Sequence, residues 1–511
     1  MALSLKKNAL PLLNFSAVQP SDASGSEFNP VSNGRVRIKL PATLGVIDPH
    51  NSYLKFDFEL TAPNYKMIFG NGIGAQAIIK DLRISVGGRV VEELAQLPVL
   101  ARLQRDYGRD LSTNQLDGVQ YLSCGSANPL QESSTVGVSP VKVQICMQPK
   151  WSGFLTARQA MVLSAMGNCE IEFTLAPANE VLQQARGSSD SFDIAVIPNG
   201  VFTHVDILED DADNEPYNKY WNDENDCLFA VGSRIKITTD RGDKNNVEVT
   251  AVAKSGNRIR LSFASQTTLG ADTTTQSITL VAGTDGNAAV SCGYKISKVE
   301  YVANIIEMPP QMAEAMAKGG MIQYDIPTYQ TLISQAPADV PLVGIDIPTA
   351  VSRAKALFCV PMLANGTKTM LDDGTAYRLA GSYNDLRNYQ WQLSKDGKRE
   401  PSRPVDTQNM ATSEKFAPQE HLFELEKAFR ASSVGVRSLR EYADNFVCGR
   451  SLSAYGGSTD LSLGGARLYL EYLQTLPRNG GNNTITAKNI ITFVHHIKRM
   501  TLTSAGCVVE S

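Results

Sequence analysis

The sequence predicts an all-β protein built as two successive β-sandwich halves. Three observations predict it. Period-two alternation of apolar and polar residues recurs along the chain, turns rich in Gly, Asp and Asn punctuate it, and one order of elements occurs twice. That order is strand, glycine-turned strand, helix, further strands, repeated roughly 300 residues apart, so each half closes its own sandwich core.

Residues 35–40 read Arg-Val-Arg-Ile-Lys-Leu, with Val36, Ile38 and Leu40 on one face and three cations on the other. In residues 54–60, Leu54, Phe56, Phe58 and Leu60 alternate with Lys55, Asp57 and Glu59. Such alternation fits a half-buried strand and no helix. Ile47-Asp48-Pro49-His50-Asn51 between them reads as a turn. A third strand carries Leu82, Ile84 and Val86 and ends at Gly87-Gly88, whose backbone freedom suits a tight hairpin. A helix follows with Leu100, Leu103 and Tyr107 on one face, stopped by Gly108. Further strands are expected at 141–147 and 171–175.

Residues 205–230 crowd Asp206, Glu209, Asp210, Asp211, Asp213, Glu215, Asp223, Glu224 and Asp226. Short alternating strands follow at 235–237, 247–249, 259–263 and 278–280, separated by turns such as Ser255-Gly256-Asn257. The stretch predicts a small inserted β-barrel-like module. An apolar run with Val299, Tyr301, Ile305 and Ile306 then leads to Pro309-Pro310, Met312, Ala313 and Met316, closed by Gly319-Gly320. Proline at the start and glycine at the end mark a bridging helix.

The second half opens its own series. Ala356 to Val360 is an apolar strand, Tyr389, Trp391 and Leu393 alternate before Asp396-Gly397, and Leu422, Leu425 and Phe429 share a helical face. Strands at 468–470 and 493–502 close it. The expected division is a flexible arm over 1–30, a first sandwich over 31–204, the inserted module over 205–295, a strand and bridging helix over 296–320, and a second sandwich over 321–511.

The 511 residues are 42 % hydrophobic and 20 % charged, a globular balance, with a formal net charge of -4. A protein that coats nucleic acid directly needs a basic excess, and the only early basic feature is Lys6-Lys7, which ordinarily is just solvated. Eight cysteines, none in a Cys-x-x-Cys pair, read as reduced thiols of a protein made in the cytosol. Leu10-Pro11-Leu12-Leu13 is too short for a secretory signal, and no run reaches the ~20 apolar residues of a membrane span.

Catalytic constellations are not legible. Of five histidines, only His495-His496 are adjacent, and neighbours in a strand point to opposite faces, so they do not readily share a metal. A calcium loop begun at Asp211 places Asp213 and Glu215 correctly, but Pro216 stands where the sharp turn needs Gly and Asn222 where a bidentate Glu belongs. A solvated acidic loop is the plainer reading. Gly70, Gly72 and Gly74 lack a phosphate-binding sequel and read as a loop. No catalytic residue, cofactor or metal is expected, and the work is expected to lie in faces and edges, not in an enzyme pocket.

The order of these segments resembles that of double jelly-roll major capsid proteins of icosahedral double-stranded DNA viruses, in the lineage of virophages, Polinton-like viruses and large algal viruses. The carriers are Arg35 to Thr61 with NSYLKFDFEL, IIKDLRISVGGRVVEEL, YQWQLSKDGKREPSRPV, QEHLFELEKAF, and Phe446 to Leu473. The resemblance implies two consecutive jelly rolls with short helices, and an inserted module that projects outward. It implies a homotrimer of pseudo-hexagonal outline packed among neighbouring capsomers in an icosahedral shell. Penton and minor capsid proteins, and an internal membrane, are the further partners it implies, with no sequence-specific nucleic-acid binding. The protein would be made in the host cytoplasm, not secreted, and would reside in the virion. Arg35, Arg37 and Lys39 on the non-core face, with Lys6 and Lys7 on the arm, are the candidate contacts to a neighbouring subunit or a membrane surface. Two other classes fit the residues: a carbohydrate-binding or adhesin-type β-sandwich of a viral fibre or tail, and a sandwich-fold glycoside hydrolase, which needs two carboxylates ~5–10 Å apart.

Overall fold

The computed structural model describes residues 13–20, 27–61, 67–69, 74–107, 142–149, 151–184, 191–195, 201–207, 234–239, 243–255, 258–267, 276–280, 292–307, 321–364, 379, 381–382, 386–393, 399–407, 419–432, 445–453, 457–462, 464–474, 484–503 and 506–510. Its first strands are β1 (Leu13–Val18), β2 (Glu27–Phe28), β3 (Arg35–Leu40), β4 (Val46–Thr61), β5 (Met67–Phe69), β6 (Ile79–Val86) and β7 (Arg89–Leu94). Helix α1 (Leu97–Tyr107) precedes β8 (Val143–Met147), β9 (Met161–Val162) and β10 (Cys169–Leu175). Next come β11 (Leu182–Gln184), β12 (Ser191–Asp193), β13 (Val201–Ile207), β14 (Arg234–Thr239), β15 (Lys244–Ser255), β16 (Arg258–Thr267), β17 (Gln276–Leu280) and β18 (Gly293–Ile306). The second half holds β19 (Ile322–Ala336), β20 (Leu342–Ile347), β21 (Ala354–Leu363), β22 (Leu386–Gln392) and β23 (Arg399–Asp406). Helix α2 (Gln419–Ala431) follows, then β24 (Cys448–Ser451), β25 (Ala466–Tyr472), β26 (Lys488–Thr503) and β27 (Gly506–Glu510).

Two antiparallel sheets build each half. In the second they run β19-β26-β21-β24 and β20-β25-β22-β23. Counting the eight strands from β19, the orders are first-eighth-third-sixth and second-seventh-fourth-fifth. The first half gives the same two orders, β1-β18-β4-β8 and β3-β10-β6-β7. An eight-stranded double sheet in which the last strand returns beside the first is a jelly roll, and the chain contains two.

The alternating strands form as read. In β3 Val36, Ile38 and Leu40 are buried, and in β4 Leu54, Phe56, Phe58 and Leu60 are. β21 differs because both faces of its sheet are covered. Leu357 and Cys359 pack into the core of the second roll. Ala356, Phe358 and Val360 join a larger core shared with the first roll. A strand buried on both sides reads as a continuous apolar run, which is why Ala356 to Val360 shows no period of two.

Three boundaries differ from the sequence-based division. Residues 13–18, expected in a flexible arm, form β1, paired from Leu13↔Ile306 to Val18↔Tyr301. The pairing satisfies backbone groups along the edge of β18, a gain that leaves no side-chain pattern. The run at 296–306 is no connector but the last strand of the first roll, paired with β4 over most of its length. The inserted module begins before residue 205: its six-stranded sheet runs β12-β17-β14-β15-β16-β13. A bridge between Ile194 and Ile207 brings its two edges together, closing a small barrel around Ile194, Val205, Ile235, Val249, Leu261 and Ile278. The expected bridging helix at 309–320 lies outside the described residues. So do Gly70 and Gly72, while Gly74 opens a fully buried 3-10 turn (Gly74–Ile78).

Candidate assembly surfaces

Two rolls in one chain must be held in register. The seam joins β7, α1 and the 149–166 segment of the first roll to β19, β26 and β27 of the second. Glu92 on β7 is fully buried there. Its carboxylate accepts hydrogen bonds from the Ser152 hydroxyl and from the backbone N–H groups of Gly153 (2.9 Å) and Phe154 (3.3 Å). Burial pushes its pKa up, against the opposing pull of those donors. Across the seam, Thr331 donates to the Ala95 carbonyl at 3.0 Å, and the Val162 N–H donates to the Tyr324 hydroxyl at 3.2 Å.

A second junction lies where α1 meets α2. The Tyr107 hydroxyl donates to the Asn445 carbonyl. The Tyr107 ring sits 5.2 Å from that of Phe429, which sits 4.8 Å from that of Phe358. Helix α1 could not be soluble alone: Leu97, Val99, Leu100, Leu103 and Tyr107 are all buried.

These two junctions fix the relative direction of the rolls. In a jelly roll the connections alternate between two ends. In the first roll the longer connections, β4 to β6, β7 to β8 and β10 to β18, join strand ends on one side (the long-loop end), where the barrel strands β12 to β17 intervene; the short connections, β3 to β4, β6 to β7 and β8 to β10, join the strand ends on the other. In the second roll the longer connections, β21 to β22, β23 to β24 and β25 to β26, likewise join strand ends on one side, against β20 to β21, β22 to β23 and β24 to β25 on the other. Tyr107 and Phe429 join long-loop end to long-loop end. Gly87, in the short β6–β7 turn, lies 3.5 Å (from an ideal Cβ) from Cys507 beside the short-loop end of β26. The rolls therefore stand side by side and point the same way.

The matching sheets of the two rolls have unlike outer faces. That of β19-β26-β21-β24 is covered by the first roll and α2. That of β1-β18-β4-β8 carries a charge lattice: Lys55–Glu300 (3.2 Å), Lys298–Asp57 (3.0 Å), Lys295–Glu59 (3.5 Å), Lys295–Glu27 (3.3 Å) and Lys142–Glu59 (3.4 Å). Lys298 is 75 % exposed.

Of the predicted contact residues, Arg35 and Arg37 are engaged within the chain. Arg35 pairs with Glu172, and Arg37 with Glu170 (2.7 Å) and Glu172 (3.1 Å), across the β3–β10 ladder. Burial raises the Glu172 pKa, but the hydrogen bonds from Arg35 and Arg37 outweigh it and the net direction is down. Lys39 is exposed and stands opposite Glu170 in the register. Lys6 and Lys7 lie outside the described residues, as does the acidic 205–230 stretch beyond Ile207; β1, which follows them, starts at the short-loop end opposite Ile306. Sequence reasoning missed Glu92, whose three partners lie some sixty residues away with no spacing to announce them.

Among the described residues no group of three His, Cys, Asp or Glu side chains could hold a metal ion, and no helix is long and apolar enough to cross a membrane. His495 and His496 do not face a common ligand space; both are buried.

No protein-family profile matches the chain, and no curated protein matches it. Solved structures do. It is similar to the PBCV-1 virus capsid (11 % identity, 98 % of each chain covered, TM-score 0.47). It is similar to the Faustovirus major capsid protein (9 % identity, 99 % of this chain and 93 % of that one, TM-score 0.45). It is similar to the mavirus major capsid protein (10 % identity, 97 % and 90 %, TM-score 0.40). These are members of the group that the sequence resembles.

Proposed function

We propose that this chain is the major capsid protein of an icosahedral DNA virus and assembles as trimers of pseudo-hexagonal outline. One observation carries the reading: the same eight-strand order occurs twice, in rolls that stand side by side with one polarity. Three such pairs make six similar upright blocks, which fill a near-hexagonal footprint under threefold symmetry.

The unlike sheet faces support a head-to-tail arrangement. The second roll's outer sheet face is occupied by the first roll of its own chain. The matching face on the first roll, with Lys55, Lys295, Lys298 and Glu300, is free to receive the second roll of the next copy. Contacts of this heterologous kind close into a ring when the rotation permits. The long-loop end, with the barrel, would face outward, and the short-turn end, where β1 begins, would face the particle interior. Neighbouring capsomers, penton and minor capsid proteins, and an internal membrane are the partners of such a shell. The protein would be made in the host cytoplasm and reside in the virion, and its role would be structural, not catalytic.

The test is size-exclusion chromatography with light scattering and negative-stain imaging of the purified protein. Three chains of 55.4 kDa give a particle of about 166 kDa with a hexagonal outline. A monomer that binds or cleaves glycans would overturn the reading.

A further inference from the structure

Three of the five histidines are buried, and all three lie in the second roll: His421 (0 % exposed), His495 (4 %) and His496 (2 %). His50 and His204, before the second roll, are exposed. Each buried ring keeps a nitrogen without a hydrogen-bond partner: Nε2 of His421, Nδ1 of His495 and Nε2 of His496. A buried imidazole of that kind is stable only when neutral.

None has an anion placed to receive a second proton. His421, on α2, stacks on Phe446 at 4.8 Å and meets the Tyr389 hydroxyl of β22 at 3.4 Å. Glu420 and Glu424 on its own helix are committed to Arg403 and to Lys427 and Arg450; Cys448 and Arg450 complete the β24 side. His495 packs against Tyr329 of β19 at 4.8 Å, and the charges that reach it are His496 and Lys355 of β21, both unfavourable to a cation. His496 Nδ1 lies 3.0 Å from the Val494 carbonyl, opposite Thr328 of β19 and Ala354 of β21. Lys498 on its own strand opposes its charging, and the acids across the seam, Glu92 and Glu93, act on Lys498.

We propose that the second jelly roll is an acid-sensitive latch, in which mild acidification favours opening of β26 and α2 and so releases the seam to the first roll. Burial holds the His421 and His495 pKa down to about 3 and that of His496 down to about 4. The unfolded roll therefore binds more protons than the folded one below the ordinary value near 6.5. Stability falls as pH drops through that value, and each imidazole raises the opening equilibrium roughly 30-fold between pH 7.5 and pH 5. The strand at stake lies inside the second-roll sheet whose outer face packs against the first roll, so its loosening acts on the whole chain. In a particle taken up through an acidifying compartment, this would loosen the shell from within its subunits.

Hydrogen exchange of the full chain at pH 7.5 and 5.0, corrected for intrinsic rates, tests the latch. Protection of β26 and of α2 is expected to fall at least tenfold more than that of β4 and β6. Equal changes in the two rolls would overturn the proposal. Proton NMR of the folded wild type gives a second measure that needs no variant. The three buried imidazoles should stay neutral from pH 7.5 to 5.5; ordinary titration of all three would overturn it.

Discussion

Glu92 accepts a hydrogen bond from the Gly153 N–H at 2.9 Å, inside the seam between the two jelly rolls. The same carboxylate holds the Ser152 hydroxyl and the Phe154 N–H. One buried carboxyl group thus organises the loop on which the second roll rests. Glu92→Ala leaves those donors buried without an acceptor and should cost about 3–5 kcal/mol, read by urea unfolding. Glu92→Gln retains a carbonyl acceptor and should cost less. The sign with pH is opposite to that of the histidines. The folded pKa is raised above its ordinary carboxylate value, so this group's contribution grows as pH falls through the raised pKa toward the ordinary one near 4.5. The stability of wild type minus that of Glu92→Gln should therefore increase on acidification, with the histidine effects common to both proteins cancelling.

Gly153 is glycine because the second roll is too close for anything else. A Cβ built there would sit 1.9 Å from the Pro327 carbonyl oxygen, a backbone atom of β19. Gly153→Ala must push the rolls apart locally and should lower stability by ~2 kcal/mol or more. Gly293 is the control, since its Cβ would meet the Thr61 Cβ at an ordinary 3.5 Å. Thermal unfolding of both variants should show a large shift for the first and little for the second.

How far the fold could be read depends on what kind of contact made each element. The alternation of β3 and β4 was visible because each buries one face in its own roll. The apolar face and Gly108 stop of α1 and the hairpin at Gly87-Gly88 are legible because they are local. β1 was not, because its pairing with Tyr301 to Ile306 uses backbone groups that any residue carries. The closing strand β18 was recognised as a strand but assigned to the wrong place, since its partner β4 lies more than two hundred residues earlier. Glu92 reads as one more polar residue beside Glu93, and only the approach of Ser152, Gly153 and Phe154 gives it a role. The candidate cations were found as a face, yet their partners Glu170 and Glu172 could be named only once the β3–β10 register was known.

Phe429 links α2 to both Tyr107 and Phe358. Phe429→Ala opens a cavity where helices from both rolls meet the shared sheet, at a cost of about 3–5 kcal/mol. Tyr107→Phe keeps the ring and removes the donor to the Asn445 carbonyl, for a cost of about 1–2 kcal/mol. Because the two rings touch, Tyr107→Ala and Phe429→Ala should not add. A double-mutant cycle by chemical denaturation should give a coupling of about 0.5–1.5 kcal/mol; a coupling near zero would mean that the helices do not meet as described.

The Arg37 ion pairs separate a role within the chain from one between chains. Its partner Glu172 has its net pKa lowered: burial raises it, and the bonds from Arg35 and Arg37 more than reverse that. That stabilisation is present above the ordinary carboxylate value and is lost as pH falls through the lowered one. Arg37 is about one-third exposed, so screening limits the pair to about 1 kcal/mol. Arg37→Glu sets three acids side by side and should destabilise the isolated chain by about that amount at pH 7 and low salt. Pairing it with Glu172→Arg restores an opposite charge and should recover most of the loss. If Arg37 served only a neighbouring subunit, the single variant would unfold like wild type and fail only in assembly, and the second substitution would rescue nothing.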